Sequence, residues 1–189
     1  MTNKALIAMS GGVDSSVAAF LTKDMGYDAT DITLKLFDNE DIGEKREKTC
    51  CSLDDIDDAR RVCLKLGIPY YVYNFKDSFK ENVIDRFIRA YENGTTPNPC
   101  IDCNRFIKFE KLIRRAEELD FDCVVTGHYS TIEYDKGADR YLLKKSVDIT
   151  KDQSYVLYCL TQRQLAKTLL PLGTYTCLLY TSPSPRDCS

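Results

Sequence analysis

Lys4-Ala5-Leu6-Ile7-Ala8-Met9-Ser10-Gly11-Gly12-Val13-Asp14-Ser15-Ser16 is the stretch that decides the fold. Ala5 to Met9 is a short apolar run that ends in two glycines, which reads as a buried strand. Val13, Val17, Ala18, Phe20 and Leu21 follow at helical spacing, so a helix is expected from Asp14 to Met25, stopped by Gly26. A strand, a glycine turn and a helix in immediate succession make an anion cradle. The glycines let the backbone curl tightly and bring N–H groups close to a ligand. The helix N-terminus behind them favours negative charge. Ser10, Ser15 and Ser16 add hydroxyl donors. Asp14 would repel a phosphate directly, so its expected task is to hold Mg²⁺. The Gly-Lys-Ser/Thr ending of a Walker A loop is absent. The bland alternative is a strand-to-helix turn with a serine cap.

Outward from that stretch, strands and helices alternate. Strands are expected at Ile32–Phe37, Pro69–Phe75 and Cys123–Gly127. Helices are expected from Ser52, as N-cap, to Leu66, then over Asp77–Tyr91, Phe106–Leu119 and Gln162–Leu170. Asp38 to Thr49 is charged and irregular and reads as a loop or insertion. Tyr129–Glu133 and Tyr141–Lys145 form a candidate hairpin around Asp135-Lys136-Gly137, an insertion over 129–145. This alternation predicts an α/β fold, a doubly wound parallel sheet with helices on both faces. Ligands bind such sheets at the carboxyl ends of the strands. No internal repeat is visible.

Composition narrows the class. The 189 residues are 43% hydrophobic and 29% charged, enough for a real core. Twenty-six Lys and Arg against 29 Asp and Glu give a net charge of −3, which argues against a generic basic nucleic-acid coat. No run reaches the ~18 apolar residues of a membrane span, and the apolar start is too short for a signal peptide. The expectation is a cytoplasmic protein without membrane contact. Its nine cysteines are then expected to be buried, catalytic or metal-bound rather than paired. A single histidine excludes a His-rich zinc site.

Thr96-Pro97-Asn98-Pro99-Cys100-Ile101-Asp102-Cys103-Asn104 is the second motif. Its prolines stiffen a loop before an expected helix, and a cysteine at a helix N-terminus is more readily a nucleophile. Three readings stand: a reactive thiol at Cys103, a metal pair at Cys100 and Cys103, or packing. One CxxC alone is weak for zinc.

Ser10 to Ser16 resembles the PP-loop of the ATP pyrophosphatase superfamily, whose members cleave ATP between the α- and β-phosphates and adenylate a substrate oxygen. That loop, the Thr96–Asn104 motif, Thr126-Gly127-His128-Tyr129 and Lys151-Asp152-Gln153-Ser154-Tyr155 stand in the order of the tRNA-specific 2-thiouridylase family, and Ile107-Lys108-Phe109 also fits. The similarity runs from about Lys4 to Gly173. The resemblance implies an adenine nucleotide alpha-hydrolase-like fold and an enzyme that adenylates the C2 oxygen of the tRNA wobble uridine. Sulfur from a cysteine persulfide then replaces that oxygen. It implies ATP and Mg²⁺ as cofactors, and tRNA and a persulfide sulfur donor protein as partners. By that analogy Ala8, Met9, Ser10, Gly11, Gly12, Val13, Asp14, Ser15 and Ser16 line the nucleotide, with Leu34 on its adenine side and Gly127 as a further contact. Cys103 is the nucleophile. Asn98, Pro99 and Cys100 meet the target base, and Lys151, Asp152 and Gln153 contact tRNA.

Two departures qualify the resemblance. Many members carry an aspartate where this chain has Cys100; Asp102 is the nearest replacement carboxylate. The resulting CxxC could instead help ligate a [4Fe-4S] cluster, as three cysteines do in related thiolating enzymes. The second catalytic cysteine and the tRNA-binding domains have no counterpart, so these residues alone are expected to bind ATP without completing sulfur transfer. Rival readings are another PP-loop adenylating ligase or amidase, and a non-catalytic nucleotide- or iron–sulfur-binding module.

Elsewhere the bland reading is favoured. Cys63, Cys123 and Cys159 read as packing, and Cys50-Cys51 as undecided. His128 is as readily a satisfied structural histidine as a contact to nucleotide or tRNA. Tyr70-Tyr71-Val72-Tyr73 is strand composition. Arg105, Lys108, Lys111, Arg114 and Arg115 could meet phosphates, but Glu110, Glu117 and Glu118 make an ion-paired face equally consistent. Residues 1–173 are expected to form one ATP-binding catalytic domain. Residues 174–189, with Cys177 and Cys188, resemble translated vector sequence or a disordered terminus.

Overall fold

The computed structural model describes residues 2–37 and 53–176. Five parallel strands form the central sheet: β1 (Lys4–Met9), β2 (Asp28–Lys35), β3 (Tyr70–Asn74), β4 (Cys123–Thr126) and a two-residue strand, Thr168–Leu169. Counting the hairpin strands β5 (Ser130–Asp135) and β6 (Arg140–Lys145), that short strand is β7, and the sheet order is β3-β2-β1-β4-β7. The chain moves outward one way from β1 to β3, then returns to lay β4 on the other side of β1. That reversal opens a crevice beyond the carboxyl ends of β1 and β4.

Alternation along the strands builds two cores. Ala5, Ile7, Met9 and Val125 face α1 (Val13–Asp24) and α2 (Leu53–Leu66), where they meet Ala18, Ala19, Ala59 and Cys63. Leu6, Ile32, Leu34 and Val124 face the opposite way, onto Ile107, Phe109, Leu112, Ile113 and Ala116. Helices therefore cover both faces, the doubly wound arrangement that the alternation of elements predicts. Small alanines on α1 bring it close to the sheet, and fully burying an aliphatic side chain contributes about 1.5–3 kcal/mol.

The second face is covered by α3 (76–92) and α4 (99–118), each a run of adjoining helical segments. α3 ends at Asn93 and Gly94, the latter at φ +72°. α4 begins at Pro99 rather than Phe106. Asn98 caps it by accepting from the Cys100 N–H at 3.0 Å, and Pro99 supplies a φ preset for the first turn. From Cys103 to Lys111 the helix widens into π geometry before closing again over Leu112–Glu118.

Two further expectations change. The expected helix over 162–170 is split: α5 covers only Gln162–Ala166, started by a reciprocal Thr161–Gln164 capping box. Thr168 and Leu169 leave it to pair with Val124 and Val125, and Pro171 could not have continued a helix. β2 starts at Asp28 rather than Ile32 and ends at Lys35, because its polar residues pair in register with β1. The hairpin forms as expected, shifted slightly, with Asp135 Oδ1 accepting from the Gly137 and Ala138 N–H groups in its turn. The expected loop over 38–49, the Ser52 cap, Cys50, Cys51, Cys177 and Cys188 lie outside the described residues. No helix among the described residues is long and apolar enough to cross a membrane.

Candidate active site

The glycine loop bridges the carboxyl end of β1 and the first turn of α1. Gly11 sits at φ +75°, a region open to glycine, and a Cβ there would stand 2.5 Å from the Asp55 carbonyl oxygen of α2. Gly12 is the N-cap of α1 and offers no side-chain cap, so backbone N–H groups face outward unsatisfied by any capping side chain. Ser15 and Ser16 both donate their hydroxyls to the Gly12 carbonyl, each at 2.9 Å. Ser10 N–H donates to Ser15 Oγ at 3.2 Å. Ser10 Oγ also lies 3.3 Å from Ser15 Oγ, so all three serine hydroxyls brace the loop. Ser10 and Asp14 are exposed, Val13 is 52% exposed, Ala8 is half-buried, and Met9 is buried. Leu34 is buried in the opposite core, near the carboxyl end of β2.

Gly127 closes the other side of the crevice. A Cβ on it would stand 2.8 Å from Ser15 N and 2.9 Å from the Asp14 carbonyl carbon. Only glycine lets the turn after β4 lie this close to the start of α1. Two residues on, buried Tyr129 donates its hydroxyl to Asp14 Oδ1 at 3.0 Å. Its backbone is held both ways by Gln153: Tyr129 N–H donates to Gln153 Oε1, and Gln153 N–H donates to the Tyr129 carbonyl, each at 2.9 Å. Asp152 accepts from Ser146 N–H at 3.0 Å and Ser154 Oγ at 2.7 Å. Burial opposes its charge, yet these donors keep its carboxyl below the usual range. Lys151 closes the short 3₁₀ turn Ile149–Lys151 and is half-buried.

Cys100 and Cys103 stand in the first two turns of α4, Cys100 exposed and Cys103 half-buried. Cys100, not Cys103, takes the N-terminal position that the sequence assigned to the nucleophile. Asp102 lies between them, paired with Arg86 of α3 at 3.3 Å. Arg86 also lies over the Phe106 ring at 4.9 Å, and Arg105 at 5.2 Å. Beyond the end of α4, Asp122 N–H donates to the Lys4 carbonyl at the amino end of β1, at 2.9 Å.

Over residues 3–178 the sequence matches the family described as the tRNA methyl transferase HUP domain. The chain belongs to this family. It is 55% identical over 175 residues to the tRNA-specific 2-thiouridylase MnmA of Clostridium beijerinckii, covering 93% of this chain and 48% of that protein. It is 56% identical over 175 residues to the protein of the same name from Clostridioides difficile, with the same coverage. The chain thus spans about half the length of the curated relatives it matches. A solved structure described as a predicted subunit of tRNA methyltransferase from Methanocaldococcus jannaschii superposes at a TM-score of 0.48 with 16% identity, covering 91% of this chain and 68% of that one.

The HUP domain's loop fits a nucleotide with Mg²⁺. Gly11 and Gly127 leave room only for backbone, α1 presents its N-terminus, and Mg²⁺ needs one or two carboxylates when phosphates complete its shell. The iron–sulfur alternative needs a third thiol, and Cys50 and Cys51 lie outside the described residues. Cys100 and Cys103 supply two thiols, and among the described residues no three His, Cys, Asp or Glu gather as a metal site.

His128 of the HUP domain is buried, with Nδ1 2.8 Å from Thr126 Oγ1. Burial, helped by the Lys108 charge, pushes its imidazole down to about 3, so it is neutral at physiological pH. Arg114 and Arg115 both pair with Glu118, the ion-paired face that the sequence left open. Beside them a concavity of about 500 Å³ lies between β3 and α4, lined by Val72, Tyr73, Phe75, Lys111 and Arg115. It contains neither motif cysteine nor the glycine loop, so the crevice at the β1–β4 reversal remains the candidate site.

Arg86 and Asp31 were not singled out by the sequence, and Tyr129 entered only as part of the Thr126–Tyr129 motif, without a role of its own. Asp31 is fully buried on β2, accepts from Cys63 Sγ at 3.0 Å, and has its Oδ1 unpartnered among the described residues. Cys63 is buried as expected, but as a donor to a carboxylate rather than as packing alone. Burial and that carboxylate push its thiol pKa up, away from reactivity.

Proposed function

We propose that the chain is the ATP-binding catalytic domain, spanning residues 1–173, of a cytoplasmic tRNA-uridine 2-sulfurtransferase. The observation that supports the reading is Gly127 pressed against the backbone of Asp14 and Ser15, which brings the turn after β4 onto the glycine loop. The 55% identity to a 2-thiouridylase supports the substrate assignment.

In this reading the loop from Ala8 to Ser16 receives the phosphates on backbone N–H groups, and Asp14 holds Mg²⁺. Leu34 lies on the adenine side, and Gly127 is the other nucleotide contact. Asn98, Pro99 and Cys100 meet the target uridine, and Lys151 to Gln153 contact the tRNA. The uridine C2 oxygen attacks the α-phosphate and pyrophosphate leaves. The outer sulfur of a cysteine persulfide, supplied by a donor protein, then attacks C2, and AMP leaves with the original oxygen. The Cys103 thiolate attacks the inner sulfur, the S–S bond breaks, 2-thiouridine is released, and a disulfide between Cys103 and the persulfide-carrying cysteine remains. Cys103 is the nucleophile on this chain. Asp102, between the two cysteines in sequence, pairs with Arg86 at 3.3 Å.

The family description names methyl transfer, whereas the relatives' names state 2-thiolation. The test is ATP–pyrophosphate exchange with and without tRNA, paired with mass analysis of the tRNA nucleosides, on the chain extended by the remaining half of the Clostridium beijerinckii relative. Exchange that needs tRNA, with oxygen replaced by sulfur and lost in Cys103→Ser, supports the proposal. Methylated uridine, or ATP binding without exchange, overturns it.

A further inference from the structure

We infer that Tyr129 is a positioning residue of the nucleotide site: its hydroxyl sets the Asp14 carboxylate for a cation, and Gln153 sets Tyr129. The inference rests on the nucleotide reading of the glycine loop and adds a residue that reading does not contain.

The geometry is specific. Asp14 lies exposed in the first turn of α1, where a short carboxylate can occupy several rotamers. Tyr129 is 2% exposed, its ring packed in the core cluster that contains Ile7 and Leu172, so its hydroxyl is a fixed point rather than a swinging one. From there it donates to Asp14 Oδ1 at 3.0 Å across 115 residues of sequence. A phenol donating to one carboxylate oxygen leaves the other for the cation, which selects one-point coordination. Mg²⁺ suits that arrangement, because it keeps several waters and takes phosphate oxygens for much of its octahedral shell.

Tyr129 is itself set from outside the loop. The paired backbone bonds with Gln153 fix its main chain, and Asp152 pins the same turn through Ser146 and Ser154. The segment assigned to tRNA contact is thereby hydrogen-bonded, through one tyrosine, to the carboxylate assigned to the metal. Gln153 spends its Oε1 on the Tyr129 N–H, so its side chain serves this linkage.

The experiment titrates Mg²⁺ against ATP binding by the 189-residue chain, with a parallel measurement in EDTA. For Tyr129→Phe the Mg²⁺ giving half-maximal stimulation rises about fivefold, ~1 kcal/mol at 1.4 kcal/mol per factor of ten. Binding in EDTA and the thermal midpoint stay at wild-type values. Gln153→Ala shifts the Mg²⁺ requirement the same way, and Gln153→Glu, which keeps an acceptor for the Tyr129 N–H, restores it. Asp14→Asn abolishes the stimulation and makes Tyr129→Phe silent. Unchanged Mg²⁺ dependence in Tyr129→Phe overturns the inference, as does an equal loss of binding with Mg²⁺ and in EDTA. Wild-type ATP binding that ignores Mg²⁺ removes the Asp14 assignment and this inference with it. No ATP binding at all removes the nucleotide reading itself.

Discussion

Asp31 shows how one buried residue governs pH behaviour. Burial lifts its carboxyl from 3.8 to about 6, against the opposing hydrogen bond from Cys63. A folded-state pKa above the unfolded value means that the folded protein prefers the protonated form. The favourable state holds below about pH 4, and stability declines as pH rises through 6. The difference between 3.8 and about 6 corresponds to about 3 kcal/mol. Asp31→Asn is expected to match wild type near pH 4 and to exceed it by about 1–3 kcal/mol at pH 8, read from urea unfolding at both pH values. Parallel pH profiles for the two proteins would refute this assignment. The sequence hid Asp31 because both faces of a parallel sheet are buried, so alternation along Asp28-Ala29-Thr30-Asp31 carries no inside-or-outside message. Ser10 to Ser16 were legible for the opposite reason. Glycine spacing reports backbone geometry directly, without knowledge of what packs against it. Tyr129 stood in the Thr126–Tyr129 motif, but its role was invisible because it depends on Asp14, a partner 115 residues away.

The same division holds for elements. Strands and helices announced by apolar period and a glycine stop appear within a few residues of their expected ends. α4 starts earlier because Asn98 and Pro99 act as cap and first turn, a role read from the sequence as loop stiffening. Its π-helical stretch leaves no mark in the hydrophobic spacing, yet begins at Cys103, and such widened turns often accompany functional residues. β7 was read as helix because two residues hold too little pattern to compete with the helical spacing around them. The turn after β4 makes the sharpest prediction at this scale. Gly127→Ala would drive a methyl into the backbone of Asp14 and Ser15, where no flexible side-chain end can yield. We expect a stability loss of about 1–3 kcal/mol and at least a tenfold loss of ATP affinity, by chemical unfolding and equilibrium binding. Wild-type values would show that the two turns part without consequence.

At the scale of the molecule, the sheet, both cores and the crevice are assembled within residues 2–176, while the curated relatives are about twice as long. The expected behaviour is therefore divided. The 189-residue chain binds ATP but yields no 2-thiouridine on tRNA, and the extension with the relative's remaining half restores the product. Thiouridine formed by the 189 residues alone would contradict the division. Within the described residues, the closing piece arrives last. Leu172 is fully buried under β1 and α1, and Gly173 fits so tightly that a Cβ would stand 2.0 Å from the Ser130 carbonyl oxygen. Synthesis makes β1 well before Leu172, which closes that side of its core. The nascent protein therefore waits on the ribosome with one wall of its core open, and a message broken upstream of codon 172 delivers exposed apolar surface to chaperones and proteases rather than a smaller working domain.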